Sequence, residues 1–126
     1  MKVKGIVISG YGEGAYFMGL DVYKNQFVDK IGFKPYKGTL NIEISEETLS
    51  ILKKIPKESY GVIEGSGRYG DVKFLNASLN QKIKGAVIFP KKTRHPNNLL
   101  EFIAPIKLRD ELNIKNGDYV TLNLND

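Results

Sequence analysis

The sequence predicts a mainly β fold, a compact β-barrel with short helical insertions. Three observations carry that prediction: many apolar or alternating runs of strand length, turn residues punctuating them at short intervals, and only two or three stretches with helical periodicity. The 126 residues suit one domain with a real hydrophobic core. Residues 1–126 read as a single barrel domain, without a linker, a low-complexity tract or a repeat.

Val3 to Ser9 is the first expected strand. A glycine-rich loop follows it, Gly10-Tyr11-Gly12-Glu13-Gly14, then a short strand from Ala15 to Met18. Asp21 is expected to cap a helix running to about Lys30, with Tyr23, Phe27, Val28 and Ile31 as its apolar stripe and Gly32 at the C-cap position. Lys34-Pro35-Tyr36 turns the chain into a half-buried strand, Gly38-Thr39-Leu40-Asn41-Ile42, in which apolar and polar residues alternate as far as Ile44. Ser45-Glu46-Glu47 opens a short helix with acids in its first turn, and Pro56 ends it. Strands are expected near Gly61 to Gly65, from Tyr69 to Leu79 and from Lys82 to Phe89, separated by Gly65-Ser66-Gly67 and Asn80-Gln81. After a basic loop, Lys91 to Asn98, come a strand from Leu99 to Ile103 and a short helix from Ile106 to Leu112, with Pro105 in its first turn. Asn116-Gly117-Asp118 turns into the last strand, Tyr119 to Leu124. This closing helix–turn–strand grammar recurs in cradle-loop and swapped-hairpin barrels, DNA-binding ones among them.

The absence of cysteine excludes a disulfide framework, a thiolate zinc site and a cysteine nucleophile. His95 is the sole histidine, which excludes a histidine-based metal cluster. No apolar run approaches a membrane span and no signal-peptide pattern opens the chain, so the cytoplasm is the default expectation. A net charge of +5 favours an anionic partner without choosing between a nucleotide, a phosphorylated substrate and nucleic acid.

Two stretches point to chemistry. Strand side chains repeat with period two, so Thr39 and Asn41 project side by side from one face. A hydroxyl and an amide carbonyl are neutral hard-oxygen ligands, suited to a Mg²⁺ that keeps waters and takes phosphate oxygens. The loop Gly10 to Gly14 frees backbone amides to approach an anion, although it is neither a Walker A motif nor a dinucleotide fingerprint. A phosphate cradle and a weak metal ledge are the minimum for phosphoryl transfer. Each also has a plainer reading, a tight turn and a polar strand face. Glu101, flanked by Leu99, Leu100, Phe102 and Ile103, is either the outward residue of a strand or an acid set in a pocket. Lys107 and Arg109 are helix-surface charges or nucleotide contacts. The cations of Pro90-Lys91-Lys92-Thr93-Arg94-His95 read as a solvated loop.

Taken in order, these segments resemble the archaeal CTP-dependent riboflavin kinase family. The resemblance is carried by Ser9 to Gly14 with Tyr16-Phe17, by Gly32-Phe33-Lys34-Pro35-Tyr36 and by Gly38 to Asn41. It continues in Gly85 to Ile88, Pro90 to Thr93, His95, Glu101 to Pro105, Lys107 to Arg109 and Asn116 to Asp118. It spans nearly the whole chain except Ile44 to Leu79. The family implies a six-stranded cradle-loop, riboflavin-kinase-like barrel that transfers the γ-phosphate of CTP to the riboflavin 5′-hydroxyl, giving FMN and CDP. By that resemblance Gly10, Tyr11, Gly12, Glu13, Gly14 and Ala15 line the nucleotide phosphates, and Ile106, Lys107, Leu108 and Arg109 complete the CTP site. Thr39 and Asn41 hold Mg²⁺. Thr93 and Glu101 contact the flavin, with Glu101 the candidate to orient or deprotonate the hydroxyl. Where the family often has an arginine this chain has Ala15, so that cationic contact is missing or comes from elsewhere, such as Lys91 or Arg109. The rival readings are a swapped-hairpin DNA-binding module, disfavoured by the dispersed cations and by the unused glycine loop, and a non-catalytic flavin-binding protein.

Overall fold

The computed structural model describes residues 1–10, 18–67, 70–90 and 98–125. Its elements are β1 (Lys2–Ile8), α1 (Asp21–Lys24), α2 (Gln26–Ile31), β2 (Leu40–Glu43), α3 (Glu46–Leu52), a 3₁₀ turn (Lys57–Ser59), β3 (Gly61–Ile63), β4 (Val72–Leu79), β5 (Ile83–Pro90), β6 (Leu99–Ile103), α4 (Leu108–Glu111) and β7 (Tyr119–Leu124). Six strands form a closed antiparallel barrel in the order β4-β5-β6-β2-β1-β7, with β7 returning to β4. The six-stranded expectation holds, with one addition. The short β3 pairs with Val72, Lys73 and Phe74, on the β4 edge whose other half, Ala77 to Leu79, pairs with β7.

Period-two alternation decides which residues fill the barrel. Val7, Leu40, Ile42, Leu75, Val87, Leu100, Phe102, Val120 and Leu122 point inward and pack as one core. A second apolar layer lies outside the wall. There Tyr23 and Phe27, from α1 and α2, cover Ile63, Val72, Phe74, Ala86, Ile88 and Ile103. The Tyr23 hydroxyl donates to the Gly70 carbonyl at 2.6 Å, which satisfies its one polar atom under that layer. β6 contributes to both layers, and all five of its residues are buried. Its nearly continuous apolar run is thus that of a strand covered on both faces.

Several local expectations shift. Asp21 does not cap its helix: Leu20 holds the N-cap position and Asp21 is the first helical residue, its carboxylate in the first turn, and the helix breaks at Asn25 into α1 and α2. Gly32 caps it in the left-handed region (φ 97°), as the sequence predicts. Tyr23 and Phe27, four apart, fill the face that meets the sheet, whereas Val28 lies about 100° round the helix and is exposed. Ser45 caps α3 by accepting from the Thr48 amide at 3.1 Å, but the helix ends at Leu52, not Pro56. The chain reaches Pro56 through tighter turns, Lys54 N–H to Ile51 O and Ile55 N–H to Leu52 O. Met18, expected to end a strand, is helical, and the rest of that segment lies outside the described residues. The last helix is shorter than expected and starts at Leu108, leaving Pro105 ahead of it.

Gly85 in β5 faces the β6 backbone at close range. A Cβ there would collide with the Ile103 carbonyl and press on the Phe102 ring. Gly85→Ala should therefore destabilise the protein by about 1–3 kcal/mol, the usual penalty for overpacking. The check is a lower urea midpoint with an unchanged m-value.

Candidate functional site

The register of the barrel wall brings the site together. Asn41 on β2 lies opposite Ile8 on β1 and opposite Glu101 on β6, and Glu101 in turn faces Ile88 on β5. Leu40 and Ile42 point into the barrel, so Thr39, Asn41 and Glu101 share its outer face. Thr39 immediately precedes β2, and its hydroxyl donates to Glu101 Oε1 at 3.3 Å. Glu101 is 1% exposed and is the one buried charged residue among those described. Its carboxylate thus faces outward from the barrel yet is covered rather than solvated. Asn41 Nδ2 turns toward the Thr39 carbonyl at 3.4 Å, and among the described residues its Oδ1 has no donor.

Gly10 sits against this group, because a Cβ on it would run into the Asn41 side chain. The beginning of the glycine loop is thus packed directly on the expected metal ledge. Tyr11, Gly12, Glu13, Gly14 and Ala15 lie outside the described residues, as do Thr93, Lys91 and His95.

The last helix contributes unevenly. Thr39, Ile106, Lys107, Leu108 and Arg109 line one cavity of about 140 Å³, walled mainly by Tyr36, Leu40, Phe102 and Ala104. Leu108 also packs into the barrel core. The Lys107 ammonium pairs with Asp110 at 3.3 Å on the surface, so it points along its own helix. Arg109 reaches β1 instead. Its Nη2 donates to Asn116 Oδ1 at 2.8 Å and, more weakly, to the Ile8 carbonyl at 3.4 Å. Asn116 Nδ2 donates in turn to Ser9 Oγ at 2.8 Å. Ser9 and Asn116 escaped the sequence reading as side chains of consequence. They are 107 positions apart, and an Asn-Gly turn announces its backbone rather than the use of its amide. A larger cavity of about 500 Å³ borders the same 34–40 segment and is lined by Met18, Phe27 and Val28 with Lys24, Lys34 and Lys37.

The donor set fits a weakly held divalent cation. The Thr39 hydroxyl gives its proton to Glu101 and keeps its lone pairs, and Asn41 Oδ1 accepts no hydrogen bond among the described residues. Among the described residues no three His, Cys, Asp or Glu side chains gather to hold a metal unaided. A cation here would thus need phosphate oxygens and water to complete its shell.

Comparison with known proteins places the sequence in a family. A model for CTP-dependent riboflavin kinases, described as "Domain of unknown function DUF120", matches residues 7–124. A "Riboflavin kinase" of Methanobrevibacter smithii is 45% identical over 122 residues, covering 97% of this chain and 98% of that protein. A "Riboflavin kinase" of Methanothermobacter thermautotrophicus is 47% identical over 116 residues, covering 92% and 93%. A "Riboflavin kinase" of Archaeoglobus fulgidus is 43% identical and extends well beyond the match, which covers 53% of its length.

The contact between Gly10 and Asn41 generates a prediction. Asn41 can rotate away from an added methyl, so Gly10→Ala should change unfolding free energy by no more than about 1 kcal/mol. It should nonetheless displace the Asn41 side-chain amide. Two-dimensional amide NMR checks this, and an Asn41 Nδ2 pair unmoved in Gly10→Ala would contradict the packing described.

Proposed function

The chain belongs to the CTP-dependent riboflavin kinase family, and from that membership and the site's geometry we propose that it transfers the γ-phosphate of CTP to the 5′-hydroxyl of riboflavin, giving FMN and CDP, with Mg²⁺ required. The observation that carries the proposal is the convergence of Thr39, Asn41 and buried Glu101 on one face, with Gly10 packed against Asn41 and Arg109 anchored to β1 two residues earlier in the chain. Residues 1–126 would act as one barrel domain in the cytoplasm.

Each residue has a distinct task in that reading. Gly10 to Ala15 cradle the CTP phosphates through backbone amides. The apolar cavity beside Ile106 to Arg109 takes the nucleoside end, and Arg109 supplies positive charge. Thr39 Oγ1 and Asn41 Oδ1 hold the metal. When bound, Mg²⁺ neutralises charge on the transferring phosphoryl group. Glu101 orients the riboflavin 5′-hydroxyl and accepts its proton, while the Thr39 hydroxyl fixes the carboxylate's rotamer. The bond from the riboflavin 5′-oxygen to the γ-phosphorus forms as the bond to the β–γ bridging oxygen breaks, and CDP leaves with that oxygen. Thr93 secures the flavin toward its ribityl or phosphate end. The rate enhancement comes from alignment and charge stabilisation.

The direct test mixes purified protein with riboflavin, Mg²⁺ and either CTP or ATP, followed by chromatography of the flavins. FMN should form with CTP and far less with ATP. Equal yields would remove the CTP assignment, and no FMN from either would remove the kinase reading.

The site variants should separate the roles. Thr39→Ala and Asn41→Ala should each lower turnover by roughly 10²-fold at limiting Mg²⁺, by analogy with loss of one preorganised transition-state contact. Glu101→Gln should keep most of the riboflavin affinity while single-turnover FMN formation falls by about 10²–10⁴-fold. Normal turnover in Glu101→Gln at saturating riboflavin would reduce Glu101 to a binding residue.

A further inference from the structure

The two cations at the start of α4, Lys107 at its N-cap and Arg109 within it, are held in opposite ways. Lys107 is paired with a carboxylate, Asp110. Arg109 is held by neutral acceptors, the Asn116 side-chain oxygen and the Ile8 carbonyl, and no carboxylate among the described residues pairs with it. The distinction matters chemically. A carboxylate partner orients a guanidinium but cancels its charge, whereas an amide or carbonyl oxygen orients it and leaves the charge in place for an anion.

Asn116 is itself fixed. Gly117, at φ 95°, lets the chain reverse, and its amide donates to the Val7 carbonyl at 2.7 Å. The Val7 amide donates to the Asp118 carbonyl at 2.8 Å. The Asp118 carboxylate accepts from the Lys115 amide at 2.8 Å and closes the turn. The turn is thus clamped to the last residues of β1. From there the Asn116 amide spans two groups at once, accepting from Arg109 and donating to Ser9, the residue before Gly10. One side chain therefore ties the guanidinium to the entrance of the glycine loop.

Resting on the reading above, we propose that Asn116 is a positioning residue for nucleotide binding: it holds the uncancelled charge of Arg109 beside Ile8 and Ser9, just ahead of the glycine-rich sequence, to meet the CTP phosphates, and Ser9 locks its amide in the required orientation. Freed from Asn116, Arg109 would sample many rotamers and would lose entropy on meeting the anion.

The discriminating variant is Asn116→Asp. Asp-Gly turns as well as Asn-Gly, so the backbone is preserved. The new carboxylate would still bind Arg109 but would cancel its charge and lose the donor to Ser9. Calorimetric titration with CDP should show a Kd raised about ten-fold in Asn116→Ala and at least as much in Asn116→Asp. Riboflavin affinity and Tm should match the unmodified protein. Steady-state kinetics should place the change in KM for CTP, with kcat within about three-fold. In an Arg109→Ala background, the neutral Asn116→Ala should add nothing further, because it acts through the arginine. Ser9→Ala should weaken CDP in the same sense but less. CDP affinity unchanged in Asn116→Asp overturns the proposal and leaves a turn residue only. So does a full additional loss in the Arg109→Ala background. A protein that binds no CDP before any substitution overturns the kinase reading and this proposal together, whereas CDP binding indifferent to Asn116 overturns this proposal alone.

Discussion

Three residue pairs, Ala77 with Leu124, Ser78 with Asn123 and Leu79 with Leu122, close the sheet on itself. Without them the wall would be an open sheet, and its inward residues would have no common interior. With them, Leu40, Ile42, Leu100 and Phe102 share one enclosed core. Because strand side chains alternate, burying those four fixes where their neighbours go. Thr39, Asn41 and Glu101 are turned to the outer face, and the β2–β6 register sets Asn41 opposite Glu101. A one-residue slip of β2 would exchange Leu40 and Ile42 for Asn41 inside the barrel. The site geometry is thus protected by the same hydrophobic pattern that stabilises the fold.

Much of this was legible from the order of residues. The alternation around Asn41 determines its facing, and the apolar run from Leu99 to Ile103 marks a strand. The C-terminal strand is found at Tyr119 to Leu124, where the Gly-Asp turn placed it. What could not be read depends on contacts between distant residues. Periodicity leaves Glu101 open between solvent and pocket, and only the folded chain settles that it is buried. The helix from Asp21 carries a continuous apolar stripe, yet it breaks at Asn25 and leaves Val28 exposed, because a sheet offers a limited surface to cover. The Ser9–Asn116–Arg109 chain joins three segments that no local pattern relates.

The site also illustrates how a modestly basic protein can direct its charge. Lys30 and Lys107 are matched by Glu64 and Asp110 on the surface, where such pairs contribute little to stability. Among the described residues, Arg109 is steadied by dipoles alone. The expected metal ledge follows the same economy, with neutral oxygens from Thr39 and Asn41 and one carboxylate nearby. A site assembled from neutral ligands binds charge weakly when empty and gains its full strength only when phosphate completes it.

The short strand β3 leaves one edge facing away from β4, and side chains occupy it. Gln26 donates to the Glu64 carbonyl and accepts from the Glu64 amide, each at 2.8 Å, and Lys30 donates to the Val62 carbonyl at 3.1 Å. A glutamine thereby imitates the pairing that a neighbouring strand would offer, and a lysine places a charge beside it. Closed barrels have no free edge, but an appended strand restores one, with the risk of intermolecular sheet growth. Helix α2 removes that risk at the point where the barrel acquires it, so the chain can extend its wall without becoming a template for aggregation.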